Sequence, residues 1–330
     1  MTVSEGVDRI DDTTTSGPLT SGSLGTLQHD AFLYSDAASY RAGLLSFIRQ
    51  GLSLGEPVLV AVPQPGLMLL RSALESHELD RVRTVDMAVA GRNPGHIIGS
   101  MLTAFVAEHP GTRVRIIGEP IWPGRDADAY SAAAEHEALV NVALSNLPAF
   151  IRCPYDVTRL DRSVLLDATR THPVMASHDG RWTSPGYADP TAVASLFDSP
   201  LSPVPPDADL MVISPVAGTR AARRFVHDFG AAADMSEARL DDLRRAAHEL
   251  VANTLVHSGG QGLLSIWTAE DRVVCQVQDG GRIRDPLVGR RPPTLPETGH
   301  GLYLVHQVCD LVRVHRRSTG TTVRIFINLR

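Results

Sequence analysis

A proline-rich segment divides the chain and most restricts how it can fold. Between residues 186 and 210 lie five prolines among Ser, Asp and Ala, including the run SPLSPVPP. Proline lacks a backbone N–H and restricts the residue before it, so neither a helix nor an inner strand continues through such a segment. The sequence therefore predicts two domains, at 27–185 and 210–330, joined by a semi-rigid linker at 186–209.

Before this linker, short apolar strands alternate with helical segments. The runs VLVAVP and RVRIIG are two of these strands. Nearly all-apolar strands that alternate with helices are typical of a parallel sheet covered on both faces. We therefore predict an α/β domain with a largely parallel sheet. The predicted helices are 37–54, 65–77, 95–109, 129–146 and 160–170, and the predicted strands are 58–63, 82–89, 113–118 and 149–155.

After the linker the pattern changes to helices followed by strands. A hairpin-like pair, LLSIWT and RVVCQVQD, stands between the helices, and the alternating strand TTVRIFINL ends the chain. Helices grouped against strands of this kind indicate an α+β domain. The predicted helices are 218–230, 236–256 and 301–312.

The basic residues are unusual, because all 31 are arginine and the chain has no lysine. This excludes a Walker-A lysine, a pyridoxal phosphate Schiff base and the phosphate-binding lysine of the protein-kinase fold. The net charge of -6 also offers no basic surface for nucleic acid, which is not an expected direct partner.

The location of the protein is predicted from what the chain lacks. Cys153, Cys275 and Cys309 are far apart and odd in number, which argues against a disulfide framework. No signal-like segment and no apolar run of roughly 20 residues is present. We expect a cytoplasmic protein without membrane contact, with a disordered lead at 1–26 that is rich in Ser, Thr, Gly and Asp.

One helix carries a row of polar residues. In LDDLRRAAHELVANTLVHSGG, Glu249, Asn253 and His257 are spaced i, i+4 and i+8 and share one face. Alone, such a row is usually a solvated face. The apolar stripe beside it consists of Leu243, Ala246, Ala247, Leu250 and Val251.

Two further elements follow in a fixed order, and together with the helix they suit Mg-ATP. Asp279 ends a strand before two glycines and can accept a hydrogen bond from an adenine amino group. The turn from Gly299 to Gly301 opens a helix and can direct backbone N–H groups at phosphates. The side-chain oxygen of Asn253 is a suitable Mg²⁺ ligand. The chain thus has a nucleotide-binding scheme that needs no lysine.

This combination resembles the GHKL ATPase family over about 205–330, which implies its Bergerat-type sandwich fold. HELVANTLVHS is similar to the N-box, QDGG to the G1 box, GHGL to the G2 box and GTT at 320–322 to the last box. By that resemblance Glu249 is the general base, Asn253 the magnesium ligand and Asp279 the adenine-binding acid. The other cofactor-binding positions implied are Gly281, Gly299, Gly301 and Thr322.

The sequence departs from the family at Ile283, where the pattern D-x-G-x-G of the G1 box has its last glycine. Within the superfamily, the NTLVHS run and a single short lid most resemble anti-sigma-factor serine kinases of Gram-positive bacteria. That resemblance implies a stress-response regulator of transcription, with a sigma factor or a STAS-type anti-sigma-factor antagonist as partner. A nucleotide-gated binding module without kinase activity and an unorthodox histidine kinase stay open as alternatives. Arginines near the lid that are left outside the predicted site are Arg282, Arg284, Arg290 and Arg291.

The N-terminal half resembles the MEDS sensory family over about 27–170, through HDAFLYSDAASYRAGLLSFIRQGLSLGEPVLVAVP, GEPIWPGR and CPYD. That family is similar to a degraded RecA-type ATPase, and the chain has no GKT or GKS turn, so ATP hydrolysis is not expected there. A small-molecule signal is expected instead, while a homodimer is left open. His and Cys side chains could form a metal site, although packing is the simpler role for each alone. The sensory candidates, at or near predicted strand ends, are His29, Glu119, Trp122, Cys153 and Tyr155.

Overall fold

The computed structural model describes residues 25–293 and 300–330, which form two compact units. The first unit runs to Gly91 and continues over Met101–Ala194; the second consists of Arg92–Ser100 and Ser195–Arg330. Apart from its last two residues, the predicted disordered lead lies outside the described residues. Across the described part of the chain, no helix has the length and apolar character needed to cross a membrane.

A seven-stranded sheet forms the centre of the first unit. Its strands are β1 (Gln28–Tyr34), β2 (Val58–Val62), β3 (Val82–Asp86), β4 (Val114–Gly118), β5 (Ala149–Asp156), β6 (Val174–Ser177) and β7 (Gly180–Thr183). The spatial order is β3-β2-β4-β5-β1-β6-β7, and only β7, at one edge, pairs antiparallel with its neighbour. All residues of β2 are buried, as expected for an inner parallel strand. The predicted α/β fold with a largely parallel sheet is confirmed.

The helices of residues 37–196 are α1 (Ala37–Ser53), α2 (Gln64–Arg71), α3 (Ser76–Leu79), α4 (Met87–Ala90), α5 (Pro94–Ile97), α6 (Thr103–Ala107), α7 (Ala127–Ala143), α8 (Arg162–Thr171) and α9 (Pro190–Leu196). Local capping sets their ends. The Asp36 carboxylate accepts a hydrogen bond from the Ser39 backbone N at 2.7 Å and starts α1. The Asp86 carboxylate accepts one from the Ala88 backbone N at 2.9 Å, so β3 ends there and α4 begins.

Three predicted elements of this region are shorter than expected or are interrupted. The predicted strand 82–89 ends at Asp86, and the predicted helix 65–77 is divided into α2 and α3. The predicted helix 95–109 is divided by a π-helical turn, Ile98–Leu102. Glycine and serine in this last segment weaken the helical preference, which allows the hydrogen-bond spacing to change.

The second unit contains a five-stranded antiparallel sheet. Its strands are β8 (Asp209–Ile213), β9 (Gly262–Ala269), β10 (Arg272–Asp279), β11 (Leu311–Arg317) and β12 (Gly320–Asn328), in the order β11-β12-β10-β9-β8. Helices α10 (Gly218–Ala232), α11 (Glu237–His257) and α12 (His300–Val308) share one buried apolar cluster with the strands. This arrangement confirms the predicted α+β ATPase sandwich.

The last predicted helix, 301–312, was partly wrong. Helix α12 ends at Val308, and LVRVHRR forms β11, paired with β12 from Leu311 opposite Phe326. The Asp310 carboxylate accepts a hydrogen bond from the Asn328 backbone N at 2.8 Å and fixes the chain between the two elements. The alternation in LVRVHRR is the strand pattern that the sequence interpretation overlooked.

The predicted linker, 186–209, is more structured than its prolines suggested. It contains α9, and the chain belongs to the second unit from Ser195 onwards. The Asp198 carboxylate contacts the His315 ring at 2.8 Å, and Arg324 donates to the Ser202 hydroxyl at 2.7 Å. Polar side chains of the segment therefore attach it to the sheet face opposite the helices.

Candidate functional site

Helix α11 provides the first part of the candidate site. Its apolar stripe is buried in the core of the second unit, as predicted, and this packing fixes the rotation of the helix. Glu249 and Asn253 lie one turn apart on another face and are partly exposed, while His257 is exposed at the helix end. The polar row therefore points away from the core.

Asp279, the last residue of β10, is held in place by two hydrogen bonds. Its Oδ2 atom accepts from Thr254 Oγ1 at 2.6 Å, and its Oδ1 atom accepts from the Gly281 backbone N at 2.8 Å. A carboxylate offers about four acceptor positions, so this partly exposed group can still bind a ligand amino group. Thr254 was missed by the sequence interpretation, although it stands beside Asn253 in the NTLVHS run.

Gly301, in the first turn of α12, lies directly against the polar face of α11. A Cβ atom at this position would be 2.7 Å from Glu249 Oε2 and 3.4 Å from Asn253 Nδ2. A residue with a Cβ atom here would force the Glu249 carboxylate to shift, while Asn253 would stay in ordinary van der Waals contact. The backbone that opens α12 is thus brought beside the candidate base and the candidate magnesium ligand. Gly299, predicted to act with Gly301, lies outside the described residues.

A cavity of about 260 Å³ lies between α11, the end of β10 and the start of α12. Asn253, Asp279, Gly281 and Gly301 all line it, together with apolar side chains. A mainly apolar wall with a few polar groups is typical of a small-molecule site. The apolar residues of the wall are Leu250, Val277, Ile283, Val288, Leu302 and Val323.

Threonine on β12 faces the cavity one position earlier than the sequence indicated. Thr321 and Val323 line the cavity, and Thr321 Oγ1 donates to the Gly281 carbonyl at 2.8 Å. Successive residues of a strand point to opposite faces, so Thr322 is directed away from the cavity. Thr321 replaces Thr322 as the candidate threonine beside the base.

The donor set suits magnesium. The Asn253 amide lines the cavity, and the Glu249 carboxylate lies beside it against Gly301. Mg²⁺ keeps several waters and takes one or two protein oxygens together with phosphate oxygens. The partly exposed Asn253 amide can supply that protein oxygen for a magnesium-bound nucleotide, and the carboxylate beside it is left to act on a proton.

Two family models match separate parts of the chain. Residues 28–173 match MEDS, described as the methanogen/methylotroph, DcmR sensory domain. Residues 214–327 match the histidine kinase-like ATPase domain. The chain joins a MEDS domain to a histidine kinase-like ATPase domain.

Similarity of the chain to complete known proteins is low. A search of curated proteins found no match. Among solved structures, the chain is similar to the crystal structure of the RsbU and RsbW domains of Rv1364c from Mycobacterium tuberculosis, with 15% identity and a TM-score of 0.30. The match covers 63% of this chain and 49% of that one, so the chain spans about half the length of its neighbour. At this TM-score the likeness carries no argument.

The four arginines near the predicted lid differ in whether they line the cavity. Arg282 and Arg284 line the cavity with exposed side chains, and Arg282 Nη2 donates to the Ser318 carbonyl at 2.7 Å. Arg290 is buried, whereas Arg291 is exposed. Arg282 and Arg284 are therefore the two of these arginines that lie at the candidate site.

Gly320 is expected to control the position of Asp279. Its φ angle is 152°, and a Cβ atom here would be 1.9 Å from the Asp279 backbone O. Because backbone cannot move aside as a flexible side chain does, we predict that Gly320→Ala lowers the free energy of unfolding of the ATPase domain by about 3 kcal/mol. Urea denaturation of the full-length protein measures this change. Gly280→Ala is the control, since nothing lies within 4 Å of its added Cβ; equal stability of both variants would contradict the prediction.

The sensory candidates of the MEDS domain divide into two places. His29 Nε2 and Cys153 Sγ are 3.4 Å apart, and Tyr155 lies two residues further along the same face of β5. Glu119, directly after β4, accepts a hydrogen bond from the Tyr40 hydroxyl at 3.0 Å, and burial raises its pKa to about 8. Trp122 is partly exposed, with Arg125 stacked 4.2 Å from its ring centre.

The expected location at strand ends holds for part of the set. Glu119 directly follows β4 and Tyr155 is one residue before the end of β5, whereas His29 is near the amino end of β1 and Cys153 is in the middle of β5. The sensory candidates therefore do not all lie at the carboxyl edge of the sheet. Glu137 and His172, which contact His29 and each other, were missed by the sequence interpretation. An acid in the middle of an alanine-rich helix was the one available signal for Glu137.

Proposed function

We propose that the chain is a regulatory protein kinase of the anti-sigma-factor type, in which the ATPase domain binds Mg-ATP. The observation that carries this proposal is the packing of Gly301 against Glu249 and Asn253, at a cavity that Asp279 also lines. An acid, a magnesium-type ligand and the backbone of a helix N-terminus then surround one site. These are the groups that phosphoryl transfer needs where no lysine is available.

Each residue has a distinct role in this proposal. Asp279 accepts a hydrogen bond from the adenine amino group, and Asn253 holds Mg²⁺, which neutralises charge on the phosphates. The first turn of α12 at Gly301 donates backbone N–H groups to the phosphates. Glu249 accepts the proton of the attacking hydroxyl. Gly281 allows the chain to approach the base closely.

A serine acceptor on another protein suits the chain better than a histidine within it. Directly before α10 the chain forms strand β8, rather than a helical hairpin that carries a phospho-acceptor histidine. We therefore propose transfer to a STAS-type anti-sigma-factor antagonist, with a sigma factor as the second binding partner. The MEDS domain, at 27–185, is proposed to regulate this activity in response to a small-molecule signal.

One observation favours the alternative of a nucleotide-gated binding module. Ile283 lines the cavity and packs on the core, where the family pattern has glycine. An apolar side chain there reduces the room for a nucleotide and for movement of the loop. In this alternative, ATP alters partner affinity, but no phosphate is transferred.

We predict that the full-length protein transfers the γ-phosphate of labelled ATP to an antagonist protein of the same host. Because phosphoserine is stable in acid whereas phosphohistidine is not, the label should resist acid and be released by alkali. Autoradiography after acid and alkali treatment measures both properties. A parallel reaction with Glu249→Gln serves as the control for contaminating kinases.

Each outcome separates the candidate functions. Acid-labile label would identify an unorthodox histidine kinase and contradict the serine proposal. ATP binding without label on any antagonist would favour the nucleotide-gated module. Lack of ATP binding by folded protein would overturn the proposed function altogether.

A further inference from the structure

Four side chains with metal-binding atoms converge inside the MEDS domain. His29 is on β1, Glu137 on α7 and Cys153 on β5, and His172 follows α8 directly. Their nitrogen, oxygen and sulfur atoms all lie within 4.8 Å of one another. Each residue is at most 3% exposed. Sequence spacing gives no sign of this cluster, because only the packing of the two helices on the sheet assembles it.

Three distances within the cluster are close to the edges of a tetrahedral zinc site. Glu137 Oε2 lies 3.0 Å from His172 Nε2 and 3.3 Å from His29 Nε2, and Cys153 Sγ lies 3.4 Å from His29 Nε2. Zinc bonds of about 2.0–2.3 Å give a tetrahedron with edges of roughly 3.3–3.6 Å. With every pair of ligand atoms within 4.8 Å, side-chain adjustments of about 1 Å bring all four around one ion.

Asn141 determines which nitrogen of His29 carries hydrogen. The Asn141 Nδ2 atom donates to the backbone carbonyls of Glu137, Ala138 and Thr171, which fixes the orientation of the amide. Its Oδ1 atom therefore accepts from His29 Nδ1, at 3.1 Å. In a neutral ring with hydrogen on Nδ1, the Nε2 atom presents its lone pair to the cluster, where the Cys153 thiol is its hydrogen-bond partner at 3.4 Å.

His172 is oriented in the same way. Its Nδ1 atom lies 3.0 Å from the Ala168 carbonyl oxygen and 2.9 Å from Thr171 Oγ1. The carbonyl can only accept, and the Thr171 hydroxyl donates to the Asp167 carbonyl at 3.0 Å, so we place the hydrogen of the ring on Nδ1. Its Nε2 atom points at Glu137. Neither that nitrogen nor either carboxylate oxygen of Glu137 has a hydrogen bond among the described residues. A backbone or amide partner on the far nitrogen is the usual second shell of a metal-binding histidine.

A divalent cation can bind all four groups of this arrangement at once. Two imidazole nitrogens, a carboxylate and a sulfur atom meet in one buried place, where an unpaired charge is costly. Protonating both rings would place two positive charges side by side, since the ring centres of His29 and His172 are 4.1 Å apart, with one carboxylate to balance them. A divalent ion with one thiolate, one carboxylate and two neutral imidazoles instead gives a neutral buried site.

We propose that the MEDS domain binds one zinc ion through His29 Nε2, His172 Nε2, the Cys153 thiolate and the Glu137 carboxylate. Nitrogen, sulfur and carboxylate oxygen together in a four-ligand shell are the preference of zinc. On binding, the Cys153 thiol releases its proton to solvent and sulfur forms the bond to the metal. Four protein ligands leave no position for substrate, so the ion stabilises the domain by joining β1, β5, α7 and α8.

The wild-type protein provides the first test. Full-length protein, purified without an affinity histidine tag and without chelators, is analysed by inductively coupled plasma mass spectrometry. We expect about one zinc per chain, as four-ligand zinc sites are occupied at low metal concentrations. A strong chelator should lower the melting temperature, and added zinc should restore it. Metal-free, folded protein that takes up neither zinc nor cobalt would overturn the proposal.

Substitution of cysteine tests the ligands. In cobalt-loaded protein, we expect a thiolate-to-metal charge-transfer band that Cys153→Ser loses. Cys275→Ser is the matched control, because Cys275 is also a fully buried free cysteine but lies in the ATPase sheet. Loss of the band in both variants, or in neither, would contradict the ligand assignment.

Asn141 serves as a test that leaves all four ligands in place. Removal of its amide by Asn141→Ala should reduce zinc affinity by about 10–100-fold through loss of ring orientation. Competition with a chromophoric chelator measures the affinity. Unchanged affinity in this variant would exclude Asn141 as the residue that positions His29.

Discussion

Replacing Asp279 by asparagine should reduce the affinity of the full-length protein for Mg-ATP by about 10–100-fold. A hydrogen bond to a charged group contributes roughly 1.5–3 kcal/mol, and 1.4 kcal/mol corresponds to a tenfold change in affinity. The asparagine amide can also place an N–H group against the adenine amino group, where the carboxylate presents only acceptors. Isothermal titration calorimetry with ATP and magnesium measures the change.

The matched control for this variant is Asp271→Asn. Asp271 is an exposed acid in the turn between β9 and β10, so its replacement should leave ATP affinity unchanged. Comparison with GTP sharpens the test, because loss of an adenine-specific contact should remove the preference for ATP over GTP. If Asp279→Asn retains both the affinity and the preference, Asp279 does not recognise the base.

Glu249→Gln should slow phosphoryl transfer by roughly 10²–10⁴-fold while ATP binding survives. The carboxylate is the proton acceptor for the attacking hydroxyl in the proposed mechanism, and glutamine cannot replace it in that role. The adenine and phosphate contacts do not involve this group. Single-turnover transfer of labelled phosphate to the antagonist, together with calorimetry, separates rate from binding.

Asn253→Ala should behave differently, although Asn253 lies one helical turn from Glu249. Removal of the magnesium ligand should lower both Mg-ATP affinity and the transfer rate, since the metal neutralises phosphate charge in both states. The control on the same helix is Glu237→Gln, an exposed acid in the first turn of α11 that should change neither quantity. Wild-type transfer by Glu249→Gln would contradict the general-base assignment.

Hydrophobic periodicity was sufficient for most of the fold. The predicted helix 37–54 corresponds to α1, Ala37–Ser53, and the predicted hairpin corresponds to β9 and β10. The short strands β6 and β7 were missed, because VMASHDGRWT has too few apolar residues to show a period. The sequence interpretation placed residues 92–100 in the first domain, whereas Arg92–Ser100 belongs to the second unit. A local sequence pattern does not show which distant element a segment contacts.

The candidate ATP site was predictable in part because its motifs are local. The spacing of Glu249 and Asn253 on one helix face, and Asp279 at a strand end, follows from helix and strand geometry alone. Their catalytic and binding roles stay predictions until they are tested. The structure places Thr321 at the cavity, rather than the predicted Thr322, because the pairing of β12 with β10 decides which face of the strand meets the cavity.

The sequence by itself determined the two kinds of fold and predicted a nucleotide site that needs no lysine, because helix and strand periods and box motifs act over a few residues. Only the tertiary structure decided which distant groups meet. Gly301 was brought against Glu249, and Cys153 was brought to a buried cluster with Glu137 and His172. Contacts of this kind depend on how helices pack on a sheet, and that packing is set by the whole apolar core rather than by the residues that meet.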